Sequence, residues 1–221
     1  MPRRSYDQYC GLARALDILG ERWALLVVRE LLIGPKRFSD LQDGLPGIGA
    51  NALSRRLKHL EADGLVSKRR LPPPAASTVY VLTDRGRALQ PVVNELIRWG
   101  VDLLGPPEPE DSFRPGWLVT GMRAMFDPEA AARVRRSYRL QVDDDVFTIR
   151  IDHGTIDVVQ GEEGATDLAL STDSDTVLAI SSGQLTAEEA VDRGRVTVDR
   201  GDPAEVIAFA GMMQLPAGVP A

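Results

Sequence analysis

The sequence predicts an α+β chain in two parts, a winged helix-turn-helix domain followed by an antiparallel sheet that carries helices. Three observations predict it. A short helix, a Pro/Gly turn and an amphipathic helix occupy residues 38–63; two β-type runs follow at once; and beyond residue 117 short alternating strands take over, separated by Asp/Gly turns.

The amphipathic helix lies in "ANALSRRLKHLEADGL", residues 50–65. At about 100° per residue Leu53, Leu57 and Leu60 align with Ala50 beside them, so this side is expected to face the core. Arg55 points away, flanked by Asn51 and Lys58. Ser54 and His59 lie toward the edges of the outer face, and Arg56 sits nearer the buried boundary. Gly64 suits the left-handed residue that closes a helix. Upstream, "FSDLQDGLPGIG" predicts a helix from Phe38 to Asp43 and a turn ending at Gly49. In a helix-turn-helix the second helix enters the major groove and its first residues meet base edges. Asn51, Ser54 and Arg55 are the candidate base readers, because Arg pairs bidentately with guanine and Asn with adenine. Lys58 and His59, farther along, suit phosphates, as do Lys36 and Arg37 ahead of the first helix of the pair.

The runs "LVSKRRL" and "STVYVLT" flank "PPPAA", a proline-stiffened tip, and read as the two strands of a wing. Lys68, Arg69 and Arg70 lead into that tip, where a β-ribbon meets phosphates or the minor groove.

These features occur in a set. "ALDILGERW", "LLVVRELLIGPKRFSDL", "LPGIGANALSRRLKHLEADGLV" and "VYVLTDRGRAL", in that order and spacing, resemble the HxlR family of bacterial winged-helix transcriptional regulators over about residues 9 to 100. The resemblance implies a dimer that binds a near-palindromic double-stranded DNA operator. Family members commonly end the turn in Ser, with a Lys or Arg soon after, whereas this chain has Gly49 and Asn51, so its operator is expected to be its own.

The net charge of −6 argues against a DNA-binding protein until it is divided. Residues 1–104 hold 16 basic and 11 acidic side chains, a balance of +5, and residues 105–221 hold 10 and 21, a balance of −11. The basic excess lies on the proposed DNA-binding half, and the acidic half tends to stay off phosphate. The domain boundaries expected are 1–104 for DNA binding and dimerisation, 105–116 ("GPPEPEDSFRPG") as linker, and 117–221 for the second domain. No apolar run approaches a membrane span and "MPRRSYDQ" lacks a signal-peptide apolar region, so a cytoplasmic location with no membrane partner is expected.

Thr83 reads as the N-cap of a helix running from Asp84 through Leu104. It carries Leu89, Val92, Val93, Leu96, Trp99 and Leu103, more apolar surface than one small winged domain covers. The first helix has a similar surplus in Leu12, Leu16 and Leu19. Pairing across a two-fold axis buries both and sets two recognition helices about one DNA turn apart; packing on the C-terminal half is the alternative.

In the second half "FRPGWLVTGMRAMFD" predicts a helix. Arg136–Val142, "VFTIRI", "TIDVVQG" and "TDLALST" predict an antiparallel meander, and "DTVLAISSG", "TAEEAVDRG", "RVTVDRG" and "PAEVIAFAGMM" two helices, a strand and a last helix. This order, with "SSGQLTAEEAVDRGRVTVDRGD", resembles the sterol carrier protein fold over about residues 118 to 215. That resemblance implies a cavity for an apolar small molecule between sheet and helices. The inward candidates are Trp117, Met122, Met125, Phe126, Tyr138, Phe147, Ile149, Ile151, Leu178, Leu185, Phe209, Met212 and Met213, each of which serves equally as packed core.

One cysteine excludes an intramolecular disulfide and any thiol-rich metal site. His59 and His153 are the only histidines, so no metal and no cofactor are expected. Some HxlR relatives use a cysteine just before the first helix as an oxidation sensor, which makes Cys10 a redox candidate beside its plainer role in packing that helix. The acids of "DDD" (143–145) and "GEEG" (161–164) fall at strand turns. No Ser/His/Asp set has a nucleophile-elbow context and no phosphate-binding Gly loop is present, so no enzyme is expected. The function expected is a homodimeric repressor responsive to an apolar small molecule. The alternative is a thiol-redox regulator whose C-terminal half serves interaction; catalysis is a distant third.

Overall fold

The computed structural model describes residues 5–73, 76–105, 107–108 and 110–214. Residues 1–4 and 215–221, the middle of the proline tip (Pro74 and Ala75) and, in the expected linker, Pro106 and Pro109 lie outside the described residues. Contacts divide the chain into two compact units, Met1–Val93 and Asn94–Ala221.

The first unit contains α1 (Gly11–Leu19), α2 (Ala24–Ile33), α3 (Phe38–Asp43), α4 (Ala50–Ala62), β1 (Val66–Arg70), β2 (Thr78–Leu82), α5 (Asp84–Arg87) and the start of α6 (Gln90–Val101). Helix α2, "ALLVVRELLI", is apolar almost all round and is the central helix, with Ala24, Val27, Val28, Leu31 and Leu32 buried. Leu53, Leu57 and Leu60 of α4 are buried, and α4 packs on α2 and β1. Ala50 departs from the expected core stripe: as the first residue of α4 it is exposed. Gly64 takes φ +69°, the left-handed conformation that ends the helix. The wing strands pair antiparallel from Val66↔Leu82 to Arg70↔Thr78, and Lys36 bridges Tyr80 from the other side.

The helix expected from Asp84 through Leu104 is two helices. Thr83 caps the first, its hydroxyl accepting from the Gly86 N–H at 3.1 Å. The break at Ala88 and Leu89 follows from Pro91, which has no N–H for the Arg87 carbonyl and whose ring crowds it, while suiting the first turn of a new helix. The second helix stops at Val101, so Leu103 and Leu104 lie beyond it.

The second unit takes up the rest of α6, a 3-10 turn at Pro115–Trp117, α7 (Leu118–Met125), β3 (Arg135–Val142), β4 (Asp145–Asp152), β5 (Thr155–Gln160), β6 (Leu168–Thr172), α8 (Ser174–Ser181), α9 (Ala187–Asp192), β7 (Thr197–Arg200) and α10 (Ala204–Ala210). The sheet order is β5-β4-β3-β6-β7. The expected all-antiparallel meander holds for β3, β4 and β5 and fails at β6, which pairs with β3 in parallel, Tyr138↔Leu168 through Val142↔Thr172. The reason is the "GEEG" segment. Instead of making a tight turn it crosses the polar face of the sheet: Thr148 Oγ1 donates to Gly161 O at 2.8 Å, Arg139 pairs with Glu162 at 2.8 Å, Arg150 with Glu163 at 3.0 Å, and Ser137 holds Asp167. The opposite face, carrying Tyr138, Leu140, Phe147, Ile149, Leu168 and Leu170, is the apolar one.

Candidate functional site: a cationic helix face and an apolar cavity

Helix α4 presents Asn51, Ser54, Arg55, Lys58 and His59 as an exposed row opposite its three buried leucines. The neighbouring Arg56 behaves differently. It is buried and ion-paired with Glu21, whose carboxyl it holds below the usual carboxylate range, so it fixes α4 to the scaffold. At the wing, Arg69 and Arg70 are exposed. Lys68 pairs with Glu61 at 2.9 Å and lies 5.3 Å over the Tyr80 ring, and the carboxylate pushes its pKa up. Lys36 is tied by its backbone to Tyr80, and exposed Arg37 donates to Ser77 Oγ at 3.1 Å, which sets both cations beside the wing. These ten side chains belong to one unit, and a helix N-terminus plus a β-ribbon is the geometry that reads a groove and grips its phosphates.

In the second unit a cavity of about 290 Å³ opens between the sheet and helices α6–α10. Its floor is Leu140, Leu170 and Thr172 on the β3–β6 pair; its walls include Ile97 and Val101 of α6, Trp117, Met122 and Met125, Val177 and Ile180, and Phe209 and Met213. No lining side chain among the described residues carries a charge. At the middle of α7, Gly121 lines the space, and a Cβ built there meets nothing within 4 Å.

Comparison with known proteins also divides the chain in two, with the boundary between residues 107 and 124 instead of at Val93. The model of the HxlR-like helix-turn-helix family matches residues 18–107. The uncharacterized HTH-type transcriptional regulator YvaP of Bacillus subtilis is 40% identical over 93 residues, 42% of this chain and 86% of that protein. The chain belongs to the HxlR-like helix-turn-helix family. The HTH-type transcriptional regulator YodB of the same organism is 37% identical over 92 residues, covering 82% of YodB. The structure of YodB in its reduced form spans 46% of this chain and the whole of its own, at 34% identity and a TM-score of 0.39. The SCP-2 sterol transfer family matches residues 124–214. This HxlR-family chain is therefore a transcriptional regulator with a sterol-carrier-like domain joined to it, and that addition is a part the aligned regulators do not cover.

Of the thirteen apolar candidates in that domain, Trp117, Met122, Met125, Phe209 and Met213 line the cavity. Phe126, Tyr138, Phe147, Ile149, Ile151, Leu185 and Met212 are buried in the packed core, and Leu178, half-buried, does not line it either. The separation is topological. Phe147, Ile149 and Ile151 stand on β4, out toward β5 where α7 packs, whereas the cavity lies over β3 and β6. Tyr138 packs against Phe209 with the rings tilted by 39° and their centroids 4.6 Å apart. Sequence reasoning missed the other lining residues, among them Leu140, Leu170 and Thr172 of the floor, Gly121, and Ile97 and Val101 of α6. The four-residue spacing of the α6 pair was a signal, on the side of the helix away from Trp99.

Cys10 is exposed at the N-cap of α1, where the N–H groups of Ala13 and Leu12 hold its thiol below the ordinary cysteine range. No group of three or more His, Cys, Asp or Glu is placed to hold a metal ion among the described residues, and no helix there is long and apolar enough to cross a membrane.

Proposed function

We propose that the protein is a homodimeric repressor that reads a near-palindromic operator with α4 and the wing, and whose affinity for that operator responds to an apolar small molecule in the cavity. The observation that carries this reading is that α6 is apolar on two sides. Its Ile97 and Val101 line the cavity, while Val92, Leu96 and Trp99, on the opposite side at about 100° per residue, stay exposed, Trp99 by 71%. Helix α1 likewise leaves Leu12 and Leu16 uncovered, by 69% and 40%. A second copy of the chain is the natural cover for both stripes, since HxlR-type regulators are typically dimers and a two-fold axis gives the half-site spacing of the operator. Asn51, Ser54 and Arg55 take the base-reading role, and Lys36, Arg37, Lys58, His59, Lys68, Arg69 and Arg70 the phosphates.

A ligand regulates only if it prefers one arrangement; a hundredfold preference supplies about 2.7 kcal/mol of coupling. A molecule against Ile97 and Val101 bears on the back of the helix whose front is proposed to set the dimer. The test is native mass spectrometry of the purified protein for a co-purified apolar species, then titration of a selected operator with and without it. Occupancy that leaves operator affinity unchanged defeats the sensing role.

The exposed, acidified thiol of Cys10 favours one second reading, a redox response acting between subunits, since the chain holds one cysteine. Operator protection by the wild type and Cys10→Ser, with and without diamide, separates the two: a redox regulator loses protection on oxidation only with Cys10 present.

A further inference from the structure

We infer that the cavity is a site for one uncharged, mainly apolar molecule of about twelve carbon atoms, roughly half the size of a sterol, estimated from cavity volumes as follows. The inference rests on the reading of the second unit as a ligand-binding domain and narrows it. A cavity of about 150 Å³ takes one benzene ring, so about 290 Å³ takes a molecule of twice that carbon count. A sterol with its side chain has more than twice that carbon count and exceeds the space as formed.

The charge follows from the walls. Among the described residues the polar lining side chains are Thr172, Ser181 and the Trp117 indole, and the Thr172 hydroxyl already donates to Arg195 O at 2.9 Å. No lining side chain among the described residues compensates a desolvated carboxylate or ammonium. A fatty acid therefore enters only in its protonated form, which at pH 7 weakens its binding by on the order of a hundredfold or more.

The space is also left open by the sequence. Gly121 interrupts α7 where Ala is the better helix former, and no neighbour forbids a side chain there. The bare position enlarges the cavity. Met122, Met125 and Met213 around it adapt their shape to an irregular occupant.

The experiment uses the full chain and three probes, 1-dodecanol, dodecanoate below its micelle concentration and cholesterol delivered from cyclodextrin, read by calorimetry and by tryptophan fluorescence. The expected result is one dodecanol per chain and dodecanoate at least about a hundredfold weaker at pH 7, regaining roughly tenfold for each pH unit lowered toward 5. Cholesterol shows no saturable binding. Gly121→Leu, which fills the space, weakens dodecanol at least tenfold while the thermal midpoint is kept. Dodecanoate equal to dodecanol at pH 7, cholesterol displacing dodecanol, or no dodecanol binding at all overturns the inference without need of any variant. Operator affinity in the same samples keeps the two ideas apart: dodecanol bound with this pattern and operator affinity unmoved removes the sensing role and leaves the site standing.

Discussion

The outer face of α4 and the cavity of the second unit are the two candidate sites, and they are made in opposite ways. The helix face is made by presentation: each of its polar side chains projects from a helix whose other side is anchored by Leu53, Leu57 and Leu60. The cavity is made by omission, through a glycine in α7 and a sheet floor that the overlying side chains do not fill. A presented site can be taken apart residue by residue. An omitted one has no owner, and truncating its lining costs less because a half-buried side chain gives up less burial.

The largest expected effect sharpens that contrast with one residue type inside one unit. Phe147 is fully buried and Phe209 lines the cavity, half-buried against Tyr138. Phe147→Ala is expected to cost about 3–5 kcal/mol of stability and Phe209→Ala under about 2 kcal/mol. Denaturant unfolding, followed by tryptophan fluorescence in a Trp23→Phe, Trp99→Phe background that leaves Trp117, measures both. Equal costs mean that the space closes in solution and the contrast is lost.

Next come two adjacent arginines of α4. Arg55→Ala is expected to weaken operator binding by about 1–3 kcal/mol and relax base preference, with the unfolding midpoint unchanged. Arg56→Ala, which strips a buried guanidinium from Glu21, is expected to lower stability by about 1–2 kcal/mol; the cost is moderate because Glu21 is left exposed and water takes it up. Operator titration against a shuffled duplex, beside thermal unfolding, separates the roles. Specificity that moves with Arg56 and stays with Arg55 reverses the assignment of the two faces.

A smaller effect is set at the wing. Arg69→Ala is expected to weaken all duplexes alike and to lower the slope of log affinity against log salt by about 0.9. Lys68→Ala is expected to move it less, since the Lys68 ammonium already holds Glu61. Titrations at three salt concentrations decide it, and a loss confined to one operator sequence points to base reading by the wing instead.

The same contrast explains what the sequence made legible. Helix α3, the limits of α4, the wing strands and the glycine at 64 could be read because each follows from local period or turn chemistry. The break at Ala88 was also local, and Pro91 announced it. The parallel pairing of β6 was hidden, because it depends on where "GEEG" finds hydrogen bonds on a face formed by other strands. The cavity was hidden further. Apolar residues destined for core and for lining have the same composition, and only the register of β3 on β6 decides that Leu140 has space above it while Phe147 has none.

The smallest effects compare a neutral and a charged helix cap, one in each unit. Thr83 Oγ1 accepts from Gly86 N–H at 3.1 Å and the Asp173 carboxylate accepts from Thr176 N–H at 2.7 Å. Each change to Ala is expected to cost about 1 kcal/mol near pH 7, lowering protection of the capped amide against hydrogen exchange roughly fivefold. The two part company in acid. Hydrogen bonding to Thr176 holds the Asp173 carboxyl below its ordinary range, so its stabilisation is fully present above the unfolded carboxylate pKa of about 4 and is lost as pH falls through the lower folded value. At a pH below both, wild type and Asp173→Ala are expected to protect Thr176 alike, whereas Thr83→Ala keeps its deficit at Gly86 wherever the first unit stays folded, because a hydroxyl does not titrate there. A Thr176 deficit that persists undiminished in acid shows that the Asp173 cap works through hydrogen bonding alone, with no part for its charge.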